Sequence, residues 1–163
     1  MASTTWVIDT SSLIAVRSLF SRGDQSAIMD GLSNLVTEGR VVFPREVVTE
    51  LERYEGKDVP ALVWAKTHQG LATQKQPSFD SVREVLEQVP EVVDPDKEGV
   101  EEADPYVLAM AREMLNDGVD VRVVTEEFKT TNAKMNLGSA AGFLRIPSVS
   151  IKAMLKFEGI REF

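Results

Sequence analysis

Four carboxylate positions in this chain, the fourth being Glu126 or Glu127, stand where a ligand-binding crevice would form. Asp9 ends the apolar run Trp6-Val7-Ile8 and is followed by Thr10, Ser11 and Ser12. Glu50 lies in helical-period sequence after Val41-Val42-Phe43-Pro44, and Asp104 stands before Pro105 at the start of an Ala-containing helix. Glu126 and Glu127 follow Val121 to Val124 and Thr125. Each falls at a strand end or on the helix after a strand, where open α/β sheets bind ligands. Brought together there, the carboxylates would repel one another strongly at protein-like dielectric. A positive ion should neutralise them. The chain has no Cys and a single His, His68, so the ligand set is all oxygen and favours Mg²⁺ or Mn²⁺ over Zn²⁺. Such an ion can make a nucleophile of water and stabilise charge on a phosphate being cleaved. Simpler roles compete at two positions: Glu50 would serve as an edge carboxylate meeting water, and Asp104 as a helix cap. A cap does not exclude a ligand, since both place the carboxylate at the positive end of a helix.

The positioning elements follow from periodicity. Val7 and Ile8 predict a buried strand, and Leu13, Val16, Leu19 and Phe20 a helix with Ser11 or Ser12 as its N-cap. A turn at Arg22-Gly23-Asp24 closes that helix. Ile28, Met29, Leu32, Leu35 and Val36 mark a second helix stopped by Gly39. Val41-Val42-Phe43 is a short strand, and Pro44 opens the next helix at its first position. On that helix Val47, Val48, Leu51 and Tyr54 make the apolar arc, with Glu50 at its edge and Glu46 further round. A helix is expected from Asp58 to Leu71, a loop from Ala72 to Ser78, and a helix through Val82, Val85, Leu86 and Val89 to Pro90. Turn-rich sequence at Asp94-Pro95-Asp96-Lys97-Glu98-Gly99 leads to the Asp104 helix, which runs to about Asn116. Val121, Val123 and Val124 form a strand, Ala140, Ala141, Phe143 and Leu144 a helix, Ile146 to Ser150 a last strand and Ile151 to Phe157 a last helix. Strands alternating with helices imply a parallel sheet.

At 163 residues the chain suits one domain, residues 1–163, with one core. Its composition, 43% apolar and 27% charged, is that of an ordinary globular protein. Lack of cysteine excludes a disulfide framework and thiolate metal sites, and a single histidine argues against a His-based triad. No apolar stretch approaches the ~20 residues of a membrane helix, so a cytoplasmic protein with no membrane partner is expected. The net charge of −8 argues against generic adhesion to nucleic acid. Its distribution softens that argument: residues 128 to 163 hold Lys129, Lys134, Arg145, Lys152, Lys156 and Arg161 against only Glu158 and Glu162.

Taken in order, the acidic motifs resemble those of PIN-domain (PilT N-terminus-like) nucleases, and the likeness covers nearly the whole chain. The family's strand into Asp followed by Thr or Ser matches Val7-Ile8-Asp9-Thr10-Ser11. Its helix glutamate after a short strand and Pro matches Val41-Val42-Phe43-Pro44 through Val48-Thr49-Glu50-Leu51. Its Asp opening an Ala-rich helix matches Ala103-Asp104-Pro105-Tyr106-Val107-Leu108-Ala109. The family's usual Thr-x-Asp is here Thr125-Glu126-Glu127, which puts Glu127 in the Asp position. The resemblance implies a three-layer α/β/α fold with a central parallel sheet of four to five short strands, and Mg²⁺- or Mn²⁺-dependent endoribonuclease activity. In that picture Asp9, Glu50, Asp104 and Glu127 are catalytic, and Asp9, Asp104, Glu50 and Glu126 are the metal ligands. Thr10, Ser11 and Thr125 support the carboxylates, and Lys129, Lys134, Arg145 and Lys152 contact the RNA backbone. Relatives of this size are often homodimers and the toxin half of a toxin-antitoxin pair, which implies an antitoxin protein as partner.

Two other readings stand beside the nuclease. Glu127 in place of Asp, with the acidic charge, suits a PIN-like module that binds RNA or a protein with little or no catalysis. Phosphoryl transfer through Asp9 as an aspartyl nucleophile would normally require a second Asp two residues on, where this chain has Ser11.

Overall fold

The computed structural model describes residues 3–54, 59–96, 102–129 and 134–160. Its first apolar run forms strand β1 (Thr5–Ile8), with all four residues buried. Burial on both faces is the condition of a central parallel strand, so the run is continuously apolar rather than alternating. After β1 come α1 (Thr10–Leu19), α2 (Arg22–Thr37), β2 (Val41–Val42), α3 (Arg45–Arg53), α4 (Val59–Ala72) and α5 (Phe79–Gln88). A 3₁₀ turn at Pro90–Val92 precedes α6 (Asp104–Asn116), β3 (Val121–Val124), α7 (Leu137–Phe143), β4 (Ser148–Val149) and α8 (Ile151–Phe157).

The four strands form one sheet in the order β2-β1-β3-β4, with every pairing parallel. Helices cover it in a three-layer α/β/α arrangement. From β1 the chain passes to β2 on one side and then returns to β3 on the other. Strand order therefore reverses between β1 and β3, and a crevice opens outside their carboxyl ends. Register makes those ends level: Ile8 lies opposite Val124, and Val124 opposite Val149. Asp9, Thr125 and Ser150 each follow directly.

The core holds Trp6, Ile8, Phe43, Leu108, Leu137 and Ile151 with no exposed surface. Small residues on α6, Ala109 and Ala111, are also fully buried, and this helix packs against β1 and β3. At the far end of β1, Trp6 Nε1 donates to Glu158 Oε2 at 2.9 Å, and its ring meets Phe157 edge-on with centroids 5.4 Å apart. Arg40 pairs with the same Glu158 carboxylate, fastening the end of α8 to the sheet.

Several helix starts differ from expectation. Asp9 itself, extended at φ −86°, ψ 155°, precedes α1, so Ser11 and Ser12 lie inside the helix. Arg22-Gly23-Asp24 is the first turn of α2 rather than the end of α1, because Ser21 accepts from the Asp24 N–H and caps it. Pro44 sits one position before α3. On α3 Val47, Val48 and Leu51 are buried as the expected apolar arc requires, whereas Tyr54, just past its end, is exposed and Glu46 is buried. The two edge strands, β2 and β4, are two residues each, shorter than the expected Val41 to Phe43 and Ile146 to Ser150. The expected helix start at Asp58 and the turn from Lys97 to Gly99 lie outside the described residues.

Candidate metal centre

Two hydroxyls fix Asp9. Its N–H donates to Val124 O at 3.0 Å, which continues the β1–β3 ladder one residue past the strand. Ser11 Oγ donates to Asp9 Oδ2 at 2.7 Å, and Thr125 Oγ1 donates to the same oxygen at 3.0 Å. Each hydroxyl also accepts a backbone N–H from the segment leaving β3: Glu126 N–H to Ser11 Oγ and Glu127 N–H to Thr125 Oγ1, both at 3.0 Å. Hydroxyls serve here because each donates and accepts at once. Asp9 is thereby locked to the very segment that carries the glutamates.

Asp104 approaches from the opposite chain direction, as the first residue of α6. It does not act as the N-cap: that position is Ala103, in αR conformation, with no side-chain cap hydrogen bond. Its carboxylate instead accepts from Lys134 Nζ at 2.7 Å. Asp9, Asp104 and Glu127 each offer an oxygen, all within 4.8 Å of one another. Asp9 and Asp104 are 1% and 2% exposed, so neither can discharge its field into water. The Glu127 side chain is 31% exposed and forms the outer edge of the group.

Electrostatics follow from that burial. Burial, then the Glu127 charge and that of Glu50, push the Asp9 carboxyl up to about 7, although the Ser11 and Thr125 hydroxyls pull the other way. Burial, then Asp9 and Glu127, push Asp104 well above the usual carboxylate range against the opposing pull of Lys134. For Lys134 burial would favour the neutral amine, but Asp104, Glu127 and Glu102 outweigh it and raise its pKa. Three acids crowded to this degree hold a proton or require a cation. The group suits a hard divalent ion, because its donors are all oxygen. Glu127 Oε2 is moreover buried with no hydrogen-bond partner among the described residues, an acceptor left over that costs stability unless something positive meets it.

Glu50 and Glu126, both expected among the ligands, lie outside this group of three. Thr10 Oγ1 donates to Glu50 Oε1 at 2.6 Å and the Ala103 N–H donates to its Oε2 at 2.9 Å. Glu50 thus ties α3 to the starts of α1 and α6, the two helices whose approaches carry Asp9 and Asp104. Glu126 turns the other way, where its Oε1 accepts the Ile151 N–H at the start of α8 at 2.7 Å. Replacing Glu126 by Ala should therefore cost about 1 kcal/mol of stability, as loss of a helix-end partner does, when followed by urea unfolding. Divalent-ion affinity should stay within roughly twofold; a loss of roughly 10- to 100-fold would return Glu126 to the ligand set.

Of the four basic residues expected at the RNA backbone, only Lys134 reaches the cluster. Lys129, Arg145 and Lys152 are exposed. Gly138, on α7, also meets the site. Its N–H donates to Glu127 O at 3.1 Å, and a Cβ there would stand 2.8 Å from Phe128 Cδ1 and 3.2 Å from Glu127 O. A larger residue there would press on the Phe128 ring and on the Glu127 carbonyl, so glycine suits the close approach of α7 to the Glu127 backbone. An adjacent Gly in a helix-forming run was the one available signal. A separate cavity of about 230 Å³ between α1, α2 and α4, lined by Leu13, Val16, Met29 and Ala61 among others, contains none of the cluster residues.

A family model described as a domain of unknown function (DUF4411) matches residues 6–162. No curated protein matches the chain.

Proposed function

We propose that this chain, which belongs to the DUF4411 family, is a Mg²⁺- or Mn²⁺-dependent endoribonuclease of the PIN type. The observation that carries the reading is the convergence of Asp9, Asp104 and Glu127 within 4.8 Å at the strand-order reversal of a parallel sheet, where such folds bind ligands. The order and spacing of the acidic motifs along the chain support it independently. No helix among the described residues is long and apolar enough to cross a membrane.

In this reading Asp9, Asp104 and Glu127 would hold the divalent ion, which when bound supplies a Lewis acid that activates water and neutralises charge on the phosphate. The chain's own residues do the positioning. Ser11 and Thr125 fix the Asp9 carboxylate and couple it to the glutamate segment. Glu50 sets the relative placement of the α1 and α6 starts, so it acts on the ligands through the backbone rather than on the reacting atoms. Glu127, at the exposed edge, is the ligand nearest to incoming substrate. Its extra methylene relative to Asp lets a residue on the β3 exit reach two buried aspartates. A role as toxin to a partner antitoxin and homodimeric assembly come from the family resemblance, and a cytoplasmic location from the lack of a long apolar stretch in the sequence.

The test is RNA cleavage under ion control. With a structured RNA as substrate, EDTA should end hydrolysis and added Mn²⁺ or Mg²⁺ should restore it. Cleavage that persists in EDTA would exclude the carboxylate centre as its source. Calorimetry showing no Mn²⁺ binding at millimolar concentration would favour the alternative, a PIN-like module that binds RNA or protein without catalysis.

A further inference from the structure

The acidic group already has a cation of the chain's own beside it. Lys134 Nζ lies 2.7 Å from Asp104 Oδ2, 3.5 Å from Glu127 Oε1 and 4.0 Å from Glu102 Oε1. Two of these three residues belong to the set that would hold a divalent ion. Lys134 stands on the segment before α7, 30 residues beyond Asp104, and so belongs to neither of the elements that carry the two aspartates. Its long aliphatic stem is the kind that swings without moving the backbone.

An ammonium in contact with Asp104 and a divalent ion held by the same carboxylates repel one another, and both draw on the same lone pairs. Their occupancy is therefore competitive. We propose that Lys134 is a tethered counter-ion: it neutralises the carboxylate cluster in the ion-free protein and must withdraw when a divalent cation binds. The lysine holds the acids together without metal and weakens metal affinity relative to what three carboxylates would otherwise provide. Glu102, also buried and 4.0 Å away, offers the withdrawn ammonium a second acidic neighbour. The inference rests on reading the cluster as a cation site, and not on hydrolysis of RNA.

The experiment compares wild type, Lys134→Gln and Lys134→Arg with Mn²⁺ as the probe, at pH 8 under nitrogen. Lys134→Gln should bind Mn²⁺ about tenfold or more tightly than wild type, as loss of a competing charge requires, while melting at a lower temperature in EDTA. Lys134→Arg keeps the charge and should stay near wild type in both. A Lys134→Gln protein that binds Mn²⁺ with wild-type affinity or more weakly would overturn the proposal. A second measurement needs no variant: acylation of Lys134 by an amine-reactive reagent, followed by mass spectrometry, should speed up when wild type is saturated with Mn²⁺. An unchanged rate in saturating Mn²⁺ would also overturn it. If no form binds Mn²⁺, the counter-ion proposal and the metal reading fall together. If competition is seen but RNA is not cleaved, only the ribonuclease reading fails.

Discussion

Asp9→Asn should lower ion-dependent RNA cleavage by about a thousandfold or more, the equivalent of roughly 4 kcal/mol in the transition state, while leaving a well-folded protein. Asparagine has nearly the same shape, and its carbonyl oxygen can still accept from Ser11 and Thr125, which bond to Asp9 Oδ2 at 2.7 and 3.0 Å. The loss would be of charge rather than of structure. In EDTA the variant should even be more stable than wild type at neutral pH, since it removes one of three crowded acids and its amide can donate to the others. Site residues that cost stability while serving function are a familiar trade. Single-turnover cleavage and thermal unfolding on the same preparation would check both halves. A variant that loses activity because it unfolds would contradict the prediction, and so would one that cleaves at the wild-type rate.

The second large effect is a pH dependence running against the habit of acidic proteins. A carboxyl raised to about 7 in the folded chain, against about 3.9 in an unfolded one, keeps its proton over a range where the unfolded chain has lost it. The folded state then binds more protons, and its stability falls as pH rises, by about 1.4 kcal/mol per pH unit for one proton. Asp9's contribution is therefore whole below about pH 4, declines as pH rises towards 7 and is fully lost above that. The gap in unfolding free energy between Asp9→Asn and wild type, both in EDTA, should open with rising pH and level off above neutrality. Saturating Mn²⁺ should flatten the wild-type profile, because a bound cation removes the reason to hold a proton. A gap that is constant from pH 4.5 to 8.5 would mean that Asp9 is ionised in the fold throughout.

The sheet was legible because its central strands, β1 and β3, are largely buried. Trp6 to Ile8 is an unbroken apolar run and Val121 to Val124 is apolar except for Arg122, the pattern that a central parallel strand asks for. The strand ends then mark where chemistry would gather, so Asp9 and the Glu126-Glu127 pair follow from local pattern, and Asp104 from the helix start. What local pattern does not hold is direction. Glu126 and Glu127 are neighbours on the segment leaving β3, yet one bonds the Ile151 N–H and the other joins the aspartates. The choice between them is made by Thr125, whose hydroxyl accepts the Glu127 N–H, and by the start of α8, which claims Glu126. Glu50 lies on the right helix, yet both its oxygens are taken by Thr10 and Ala103, partners far away in sequence. Lys134 was a basic residue in a basic stretch until the fold brought it to Asp104. Helix boundaries slipped where a serine could cap in more than one register, as at Ser21 against Arg22-Gly23-Asp24.

The two hydroxyl bonds on Asp9 also set an order of assembly. Thr125, which holds Asp9, lies 116 residues further along the chain, and β3 must pair with β1 before the two meet. A contact of such long sequence separation forms late and slowly in folding. The centre therefore cannot exist on a nascent chain whose first helices have already formed. A product truncated before β3 would lack both Thr125 and Glu127 and could not assemble the three-carboxylate group.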